Sequence, residues 1–231
     1  MTATLKVVKP VDAAGLVLIR AARNGEPEIL LGRRHRRAGF LPDIYVVPGG
    51  RVDTDDHAPS GFAESLHPAV AAALASGGSR RPALAFPRAA LRETHEETGL
   101  LVGHAGKPVA TPNQPIWQAY SAAGLAPQFG GIDFICRAIT PVGSPRRYNT
   151  RFFLADGAQA VGSVLSTGEL EDLAWRPVSA LGGLHIVDVT EYVLKEALRR
   201  WQTRRPAGAE PPKLLNYRND IMTLSRHRSR D

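Results

Sequence analysis

Three glutamates fall within five positions of the sequence, in the segment PRAALRETHEETGL, residues 87–100. If this segment is helical, Glu93, Glu96 and Glu97 share one side, because residues three and four apart are neighbours on a helix surface. Each such pair of like charges destabilises the helix by about 0.2–0.5 kcal/mol. Clustered carboxylate oxygens are the hard ligands that Mg²⁺ and Mn²⁺ prefer. The spacing therefore predicts a divalent-cation site, with a solvated acidic helix face as the alternative.

The element that carries these glutamates has both of its ends marked in the sequence. Pro87 suits the first turn of a helix, where its missing N–H is no loss, and Gly99 suits the left-handed position just after the last turn. Leu91, Thr94 and Thr98 then lie with Pro87 on the side opposite the acids. We therefore expect a helix with a short core-facing side and an acidic side.

A glycine pair upstream predicts what this helix packs against. The segment DIYVVPGG, residues 43–50, is interpreted as a third short strand that ends at Gly49 and Gly50. Two adjacent glycines allow a tight turn and let another group approach the backbone closely. Before it, DAAGLVLIRA and PEILLGRR predict a hairpin with Asn24 and Gly25 in its turn.

Together these residues resemble the signature of the Nudix hydrolases. RETHEETGL matches the second half of that signature at six positions, with Thr94 where an aliphatic residue is usual. The six matches are Arg92, Glu93, Glu96, Glu97, Gly99 and Leu100. The glycine pair after an apolar strand resembles the start of the signature, so strand, glycine turn and carboxylate helix follow in its order.

The match departs from the signature between its two halves. Residues 51–91 separate Gly50 from Arg92, which is 41 residues where the uninterrupted signature has thirteen. The first glutamate of the signature stands eight residues before the arginine, and here that position is Leu84. We interpret residues 53–85 as an insertion, which resembles the branch that includes the peroxisomal coenzyme A diphosphatases.

The insertion itself has two parts in the sequence. It begins with DTDDHAPSG, residues 53–61, which is interpreted as an exposed polar loop. It continues through the Ala-rich segment FAESLHPAVAAALAS, which predicts a helix that Pro68 breaks or kinks.

The resemblance implies a fold, an activity and a set of site residues. The fold is mixed α/β (α+β), an α/β/α sandwich with a mixed central sheet. The activity is hydrolysis of a diphosphate linkage in a nucleoside-diphosphate derivative, with Mg²⁺ or Mn²⁺ lowering the pKa of the attacking water. Glu93, Glu96, Glu97 and the carbonyl of Gly49 are the implied metal ligands, and Arg92 is implied to orient the carboxylates.

Acidic and aromatic residues elsewhere add candidates. A later loop of the family often supplies an acidic base, and STGELEDLAW offers Glu169, with Glu171 and Asp172 as alternatives. Trp117 and Tyr120 either stack on a base or, as is more common for such residues, pack in the core.

Arginines are the candidates for binding substrate phosphates, because the guanidinium fork matches phosphate oxygens. GRRHRR, residues 32–37, lies just before the predicted third strand, and Arg33 is preferred there for its position at the strand end. Arg147 and Arg151 in RRYNTRFF are the further candidates.

Composition and length indicate an ordinary globular protein of 231 residues, with 43% hydrophobic and 22% charged residues. The single cysteine, Cys136, is interpreted as a buried strand residue, and its lack of a disulfide partner favours the cytoplasm. The longest early apolar run, AAGLVLI, is too short to span a membrane. We predict a Nudix domain over residues 1–202 and a basic tail over residues 203–231.

The charge leaves several partners open. The formal net charge is +7, and from residue 203 onward seven Arg and Lys stand against three acids. A small-molecule diphosphate substrate explains basic regions as well as nucleic acid does, and action on RNA ranks last. The open substrates are coenzyme A or an acyl derivative, a nucleotide sugar and a dinucleotide. A non-catalytic nucleotide-binding module is the alternative function, and a homodimer is the expected assembly if the chain associates.

Overall fold

The computed structural model describes residues 8–76, 79–218 and 221–227. The strands are β1 Val11–Ala21, β2 Pro27–Arg34, β3 Tyr45–Val46, β4 Gly49–Arg51, β5 Leu101–Ala105, β6 Leu125–Pro127, β7 Asp133–Ile139, β8 Tyr148–Asp156, β9 Ala160–Val161, β10 Leu170–Pro177, β11 Lys213–Arg218 and β12 Ile221–Arg226. The helices are α1 Pro68–Ala75, α2 Ala85–Thr98, α3 Pro115–Ala122 and α4 Asp188–Thr203. In these ranges, no helix has both the length and the apolar character needed to cross a bilayer.

A large mixed sheet forms the centre of the fold, as the sequence predicts. Its strands follow the order β10-β2-β1-β8-β7-β11-β12, and the short strands β3 and β4 pair with β2 and β1. β1 pairs with β8, and β7 with β11, in parallel, while the remaining pairs in this sheet are antiparallel. A smaller sheet has the order β6-β5-β9.

The two faces of the large sheet are covered by different helices. Successive strand residues point to opposite faces, so Leu16 of β1 packs in the cluster that contains Ala90 of α2 and Trp117 of α3. Its neighbour Val17 packs in the cluster that contains Val193 of α4. Helices on both faces of one sheet confirm the predicted α/β/α sandwich.

The predicted hairpin forms, but the predicted third strand divides into two. β1 and β2 pair antiparallel, with Gly25 in the turn at a φ of 83°. β3 then pairs with β2, whereas β4 pairs with β1, where Gly49 lies opposite Gly15. Pro48, which has no N–H for a ladder, separates the two short strands. Because of this division, the glycine pair lies beside β1 and not beside β2.

The Ala-rich segment of the insertion forms α1, and Pro68 begins this helix instead of breaking it. The first position of a helix tolerates proline because its N–H would have no partner there. His67 precedes it and accepts a hydrogen bond from the N–H of Ala69.

Residues beyond 202 contribute strands to the same sheet. β11 pairs in parallel with β7, and β12 is the antiparallel partner of β11. Leu215 is fully buried on the α4 side of the sheet. The division of the chain at residues 202 and 203 stays a prediction, and residues 219–220 and 228–231 of the tail lie outside the described residues.

Candidate active site

Helix α2 carries the three predicted ligands and ends where the sequence predicts, with Gly99 in the left-handed conformation at a φ of 74°. Its acidic side is not a single solvated face. Glu97 is buried, and the side chain of Glu93 is 14% exposed, whereas that of Glu96 is 53% exposed. The three acids therefore lie in different surroundings.

The turn formed by Gly49 and Gly50 lies against Glu97 and Glu93. The N–H of Gly49 donates to Oε2 of Glu97 at 2.8 Å. A Cβ atom on Gly50 would lie 2.4 Å from the Glu93 carboxylate, and one on Gly49 would lie 2.4 Å from the carbonyl oxygen of Ala14. Only glycine allows these approaches, because a Cβ atom at either position would overlap its neighbour.

Arg92 uses all five of its guanidinium N–H groups. Nε and Nη2 donate to the two carboxylate oxygens of Asp56 at 2.9 Å, and Nη2 also donates to the carbonyl of Arg51 at 2.9 Å. Nη1 donates to Glu93 at 2.9 Å and to Glu96 at 2.8 Å. Arg92 therefore orients two of the three acids and partly neutralises their charge.

Asp56 corrects the interpretation of residues 53–61 as an exposed polar loop. It lies in a short 3₁₀ turn, Asp55–His57, and is 1% exposed. Its carboxylate accepts from Arg92 and from the N–H of Asp53. The first turn of the predicted insertion 53–85 is therefore part of the site.

Asp56 is also the functional residue that sequence reasoning missed. It stands six residues after Gly50, which is the distance at which the first glutamate of the signature follows its glycine. The residue eight positions before Arg92 is Leu84, because the inserted residues separate it from the glycine pair. The residue six positions after Gly50 is the acid Asp56. The extra residues therefore enter after Asp56 and not before it.

A second arginine of α2, Arg88, forms hydrogen bonds with residues of the predicted insertion. Arg88 lies one turn before Arg92 and donates to both carboxylate oxygens of Glu64, and also to the carbonyls of Asp56 and His57. The insertion thus packs along the side of the carboxylate helix.

Burial raises the pKa of both carboxyls that face the glycine turn. The pKa of Glu97 is raised to about 8, mainly by loss of solvent, and further by the charges of Glu93 and Glu169, while the N–H of Gly49 and the charge of Arg34 lower it. The pKa of Glu93 is raised to about 7, again mainly by loss of solvent. Both groups resist ionisation unless positive charge is added.

The chemistry of this donor set fits a divalent cation. Glu93 and Glu97 supply hard oxygens at a buried position where a cation would offset their repulsion. In the part of the chain that the structure describes, no group of three or more His, Cys, Asp and Glu side chains is arranged to hold a metal ion. Glu96 bonds Arg92 and extends toward solvent, so the geometry favours the pair Glu93 and Glu97 within the predicted ligand set.

The loop before β10 brings one further acid to this cluster. The charge of Glu169 raises the pKa of both Glu93 and Glu97, which indicates that its carboxylate lies near them. The alternatives Glu171 and Asp172 form ion pairs with arginines of β2 and β10. Of the three predicted base candidates, Glu169 is therefore the one whose charge acts on both carboxylates.

Of the two arginines at the end of β2, Arg34 is the one that acts on the glutamates. Its charge lowers the pKa of Glu97, whereas the buried Nε atoms of Arg33 and Arg34 alike lack a hydrogen-bond partner. Arg33 donates to Asp43 at 3.0 Å and to Glu171 at 3.1 Å. Neighbouring strand residues face opposite sides, so the geometry favours Arg34 where the sequence favours Arg33, and a substrate role for Arg33 stays a prediction.

The other two predicted substrate arginines are bonded inside the protein. Arg151 is 0% exposed, donates to Asp12 at 2.6 Å and stacks 3.9 Å from the centre of the Phe86 ring. This burial leaves no surface for a ligand, so we leave Arg151 out of the proposed site. Arg147 donates to two backbone carbonyls and lines a cavity on another side of β4.

Two aromatic candidates and the cysteine are core residues. Trp117 and Tyr120 are fully buried, and the hydroxyl of Tyr120 bonds the backbone of Val102. Cys136 is a buried free thiol in β7, as the sequence predicts.

Solved structures share this architecture. The chain is similar to the crystal structure of a NUDIX hydrolase from Alicyclobacillus acidocaldarius, at 28% sequence identity and a TM-score of 0.66, over 89% of this chain and 100% of that one. The signature residues thus occur within the matching fold. The chain belongs to the Nudix hydrolase superfamily. A MutT/nudix family protein from Enterococcus faecalis is similar in fold, at 15% identity and a TM-score of 0.51, over 86% of this chain and 64% of that one.

Sequence comparison links this Nudix chain to a curated relative. The chain is 28% identical to the acyl-coenzyme A diphosphatase NUDT19 of Gallus gallus, and the match covers 55% of this chain and 47% of the relative. The chain thus spans about half the length of that relative. No family model matches the sequence.

Proposed function

We propose that this Nudix protein is a metal-dependent diphosphatase, which hydrolyses a nucleoside-diphosphate derivative by attack of water on phosphorus. The observation that carries the proposal is the packing of Glu93 and Glu97 against the turn of Gly49 and Gly50. Two carboxylates with raised pKa values share this buried place. Such an arrangement is unfavourable by itself and becomes favourable with a bound cation.

Each residue of the site has a proposed role. Glu93 and Glu97 would hold Mg²⁺ or Mn²⁺, with Glu96 and the carbonyl of Gly49 as the further ligands that the resemblance implies. When bound, the cation neutralises the diphosphate and lowers the pKa of the attacking water. Arg92 keeps Glu93 and Glu96 in position through its Nη1 donors.

Two residues at the rim of the site complete the mechanism. Glu169 accepts the proton of the attacking water, since its loop brings a carboxylate to the cluster. Arg34 binds an oxygen of the diphosphate, because its guanidinium lies close enough to Glu97 for its charge to lower the pKa of that carboxyl.

Coenzyme A or an acyl derivative is the proposed substrate. The support is the sequence similarity to an acyl-coenzyme A diphosphatase, together with the insertion between the halves of the signature. Nucleotide sugars and dinucleotides are the alternatives. We propose the cytoplasm as the compartment, where a buried free thiol such as Cys136 stays reduced, and a homodimer stays a prediction.

A substrate panel tests the proposal. The full chain is assayed with coenzyme A, an acyl-coenzyme A, a nucleotide sugar and a dinucleotide, each with Mg²⁺, Mn²⁺ or EDTA. We expect turnover of at least one diphosphate with metal and none in EDTA. Glu97→Gln is expected to lose at least about tenfold in turnover, or about 1.4 kcal/mol of barrier. Tight nucleotide binding without any turnover would instead indicate the non-catalytic module.

A further inference from the structure

An open cavity of about 470 Å³ lies beside the starts of β1 and β8, next to β4. Three arginines, one aromatic ring and two valines contribute to its lining: Arg51, Arg146, Arg147, Tyr148, Val8 and Val11. No acidic side chain lines it in the described ranges. The cavity combines concentrated positive charge with apolar surface, and its volume is in the range of small-molecule sites.

The charge of this cavity is not neutralised by the described residues around it. Arg147 is 9% exposed and donates to backbone carbonyls, from Nε to Thr140 at 3.1 Å and from Nη1 to Val8 at 2.8 Å. Arg51 and Arg146 are exposed and form no ion pair with a described residue. Guanidinium groups without acidic partners bind phosphate oxygens well, because their paired donors match phosphate geometry.

β4 connects this cavity to the carboxylates of α2. Gly50 faces Glu93, so the side chain of Arg51, the next residue, extends on the opposite side of the strand. The carbonyl of Arg51 accepts from Nη2 of Arg92 at 2.9 Å, which keeps this residue in register with the site. β4 thus carries, within three residues, the glycine pair that contacts the carboxylates and an arginine that lines the cavity.

We propose that this cavity binds a phosphate monoester on the nucleotide part of the substrate, separate from the diphosphate that is cleaved. The position of the diphosphate rests on the proposed function. The cavity then selects nucleoside-diphosphate derivatives that carry an additional ribose phosphate, as coenzyme A does. Tyr148, in edge contact with Phe40 at 5.1 Å between ring centres, offers apolar surface for the ribose or base beside that phosphate.

A binding measurement tests the proposal without any hydrolysis. The full chain is titrated calorimetrically with adenosine 3′,5′-bisphosphate and with AMP, which differ by one ribose phosphate. We expect the wild type to bind the bisphosphate at least about tenfold more tightly. The double variant Arg51→Gln/Arg146→Gln is expected to lose most of this preference. The control is Arg23→Gln, at an exposed arginine in the β1–β2 turn, and this variant is expected to keep the preference for the bisphosphate. Equal affinities in the wild type, no binding of either compound, or an unchanged preference in the double variant would overturn the proposal.

A kinetic comparison separates this proposal from the proposed function. Coenzyme A and dephospho-coenzyme A differ by the same phosphate, and we expect the double variant to lose at least about tenfold more kcat/KM for the first than for the second. Hydrolysis of both compounds with equal efficiency by the wild type would contradict the proposed role of the cavity, but it would support the proposed diphosphatase activity. A calorimetric preference for the bisphosphate without hydrolysis of either compound or of any other diphosphate in the panel would contradict the proposed diphosphatase activity and leave the cavity's role intact.

Discussion

Asp56 and Arg92 lie 36 positions apart in the sequence and bind each other through two hydrogen bonds of 2.9 Å. Through this pair, the 3₁₀ turn Asp55–His57 orients the arginine that holds Glu93 and Glu96. The sequence shows the residue types and their spacing along α2, because both are local. The sequence does not show that Asp56 is buried, because the polar segment that contains it, with several acids, has the composition of a solvated loop.

Removal of the Asp56 carboxylate leaves the buried guanidinium of Arg92 without its bidentate partner. We expect Asp56→Ala to lower the free energy of unfolding by about 3 kcal/mol, as is usual when one member of a buried ion pair is removed. Urea denaturation measures this change. Asp55→Ala, at the exposed neighbouring position, is the control and should change stability by less than about 0.5 kcal/mol. Equal effects of the two substitutions would show that the Asp56 pair does not stabilise the fold.

The raised pKa values of Glu93 and Glu97 predict that the metal-free protein becomes less stable as the pH rises. The unfolded chain loses these protons near pH 4.5, whereas the folded chain keeps them up to about pH 7 at Glu93 and about pH 8 at Glu97, so the free energy of unfolding falls over this range. We expect urea denaturation in EDTA to show a larger fall from about pH 5.5 to about pH 8 for the wild type than for Glu97→Gln.

Comparison of the wild type with Glu97→Gln isolates the contribution of the Glu97 carboxyl to the pH dependence of stability. The pKa of His227 is lowered by burial, which acts in the opposite direction over this pH range, but His227 is present in both proteins. An identical pH dependence in the wild type and in Glu97→Gln would contradict the raised pKa of Glu97.

At the scale of elements, the site depends on the contact between α2 and the turn before β4. The helix end at Gly99 and the hairpin of β1 and β2 are predictable, because caps, glycines and alternation act locally. The division of the third strand into β3 and β4 is not, since it depends on pairing with two different strands distant in sequence. That division is what brings Gly50 to Glu93.

A methyl group on Gly50 tests this contact. Its Cβ would lie 2.4 Å from the Glu93 carboxylate, so we expect Gly50→Ala to displace that ligand and lower turnover by at least about tenfold. The control is Gly182→Ala, where the added Cβ meets no atom within 4 Å. Turnover with Mn²⁺ and a diphosphate substrate measures the effect. Retention of full turnover by Gly50→Ala would mean that Glu93 does not need this approach.

At the scale of the whole molecule, the signature and the order of strands and helices predict the α/β/α sandwich. The contribution of residues 213–226 to the sheet is not predictable by the same reasoning. β11 follows a proline-rich segment that is typical of a linker, and its parallel pairing with β7 joins residues more than seventy positions apart. Local patterns carry no information about such a pair.

The docking of this segment predicts a stability effect. Leu215 is 0% exposed in the cluster beneath α4, so we expect Leu215→Ala to lower the free energy of unfolding by roughly 2–5 kcal/mol. Ile221→Ala, at a side chain that is 70% exposed, is the matched control and should have little effect. A negligible effect of Leu215→Ala would show that residues from 203 onward behave as a separate tail.

Direct measurement of Mn²⁺ binding tests the central claim, that Glu93 and Glu97 form a cation site at the glycine turn. The free Mn²⁺ signal in electron paramagnetic resonance is followed while the wild type, Glu97→Gln or Glu191→Gln is added, the last being an exposed glutamate of α4. We predict Mn²⁺ binding by the wild type, at least about tenfold weaker binding by Glu97→Gln, and unchanged binding by Glu191→Gln. Equal Mn²⁺ affinity in the wild type and in Glu97→Gln would contradict the account.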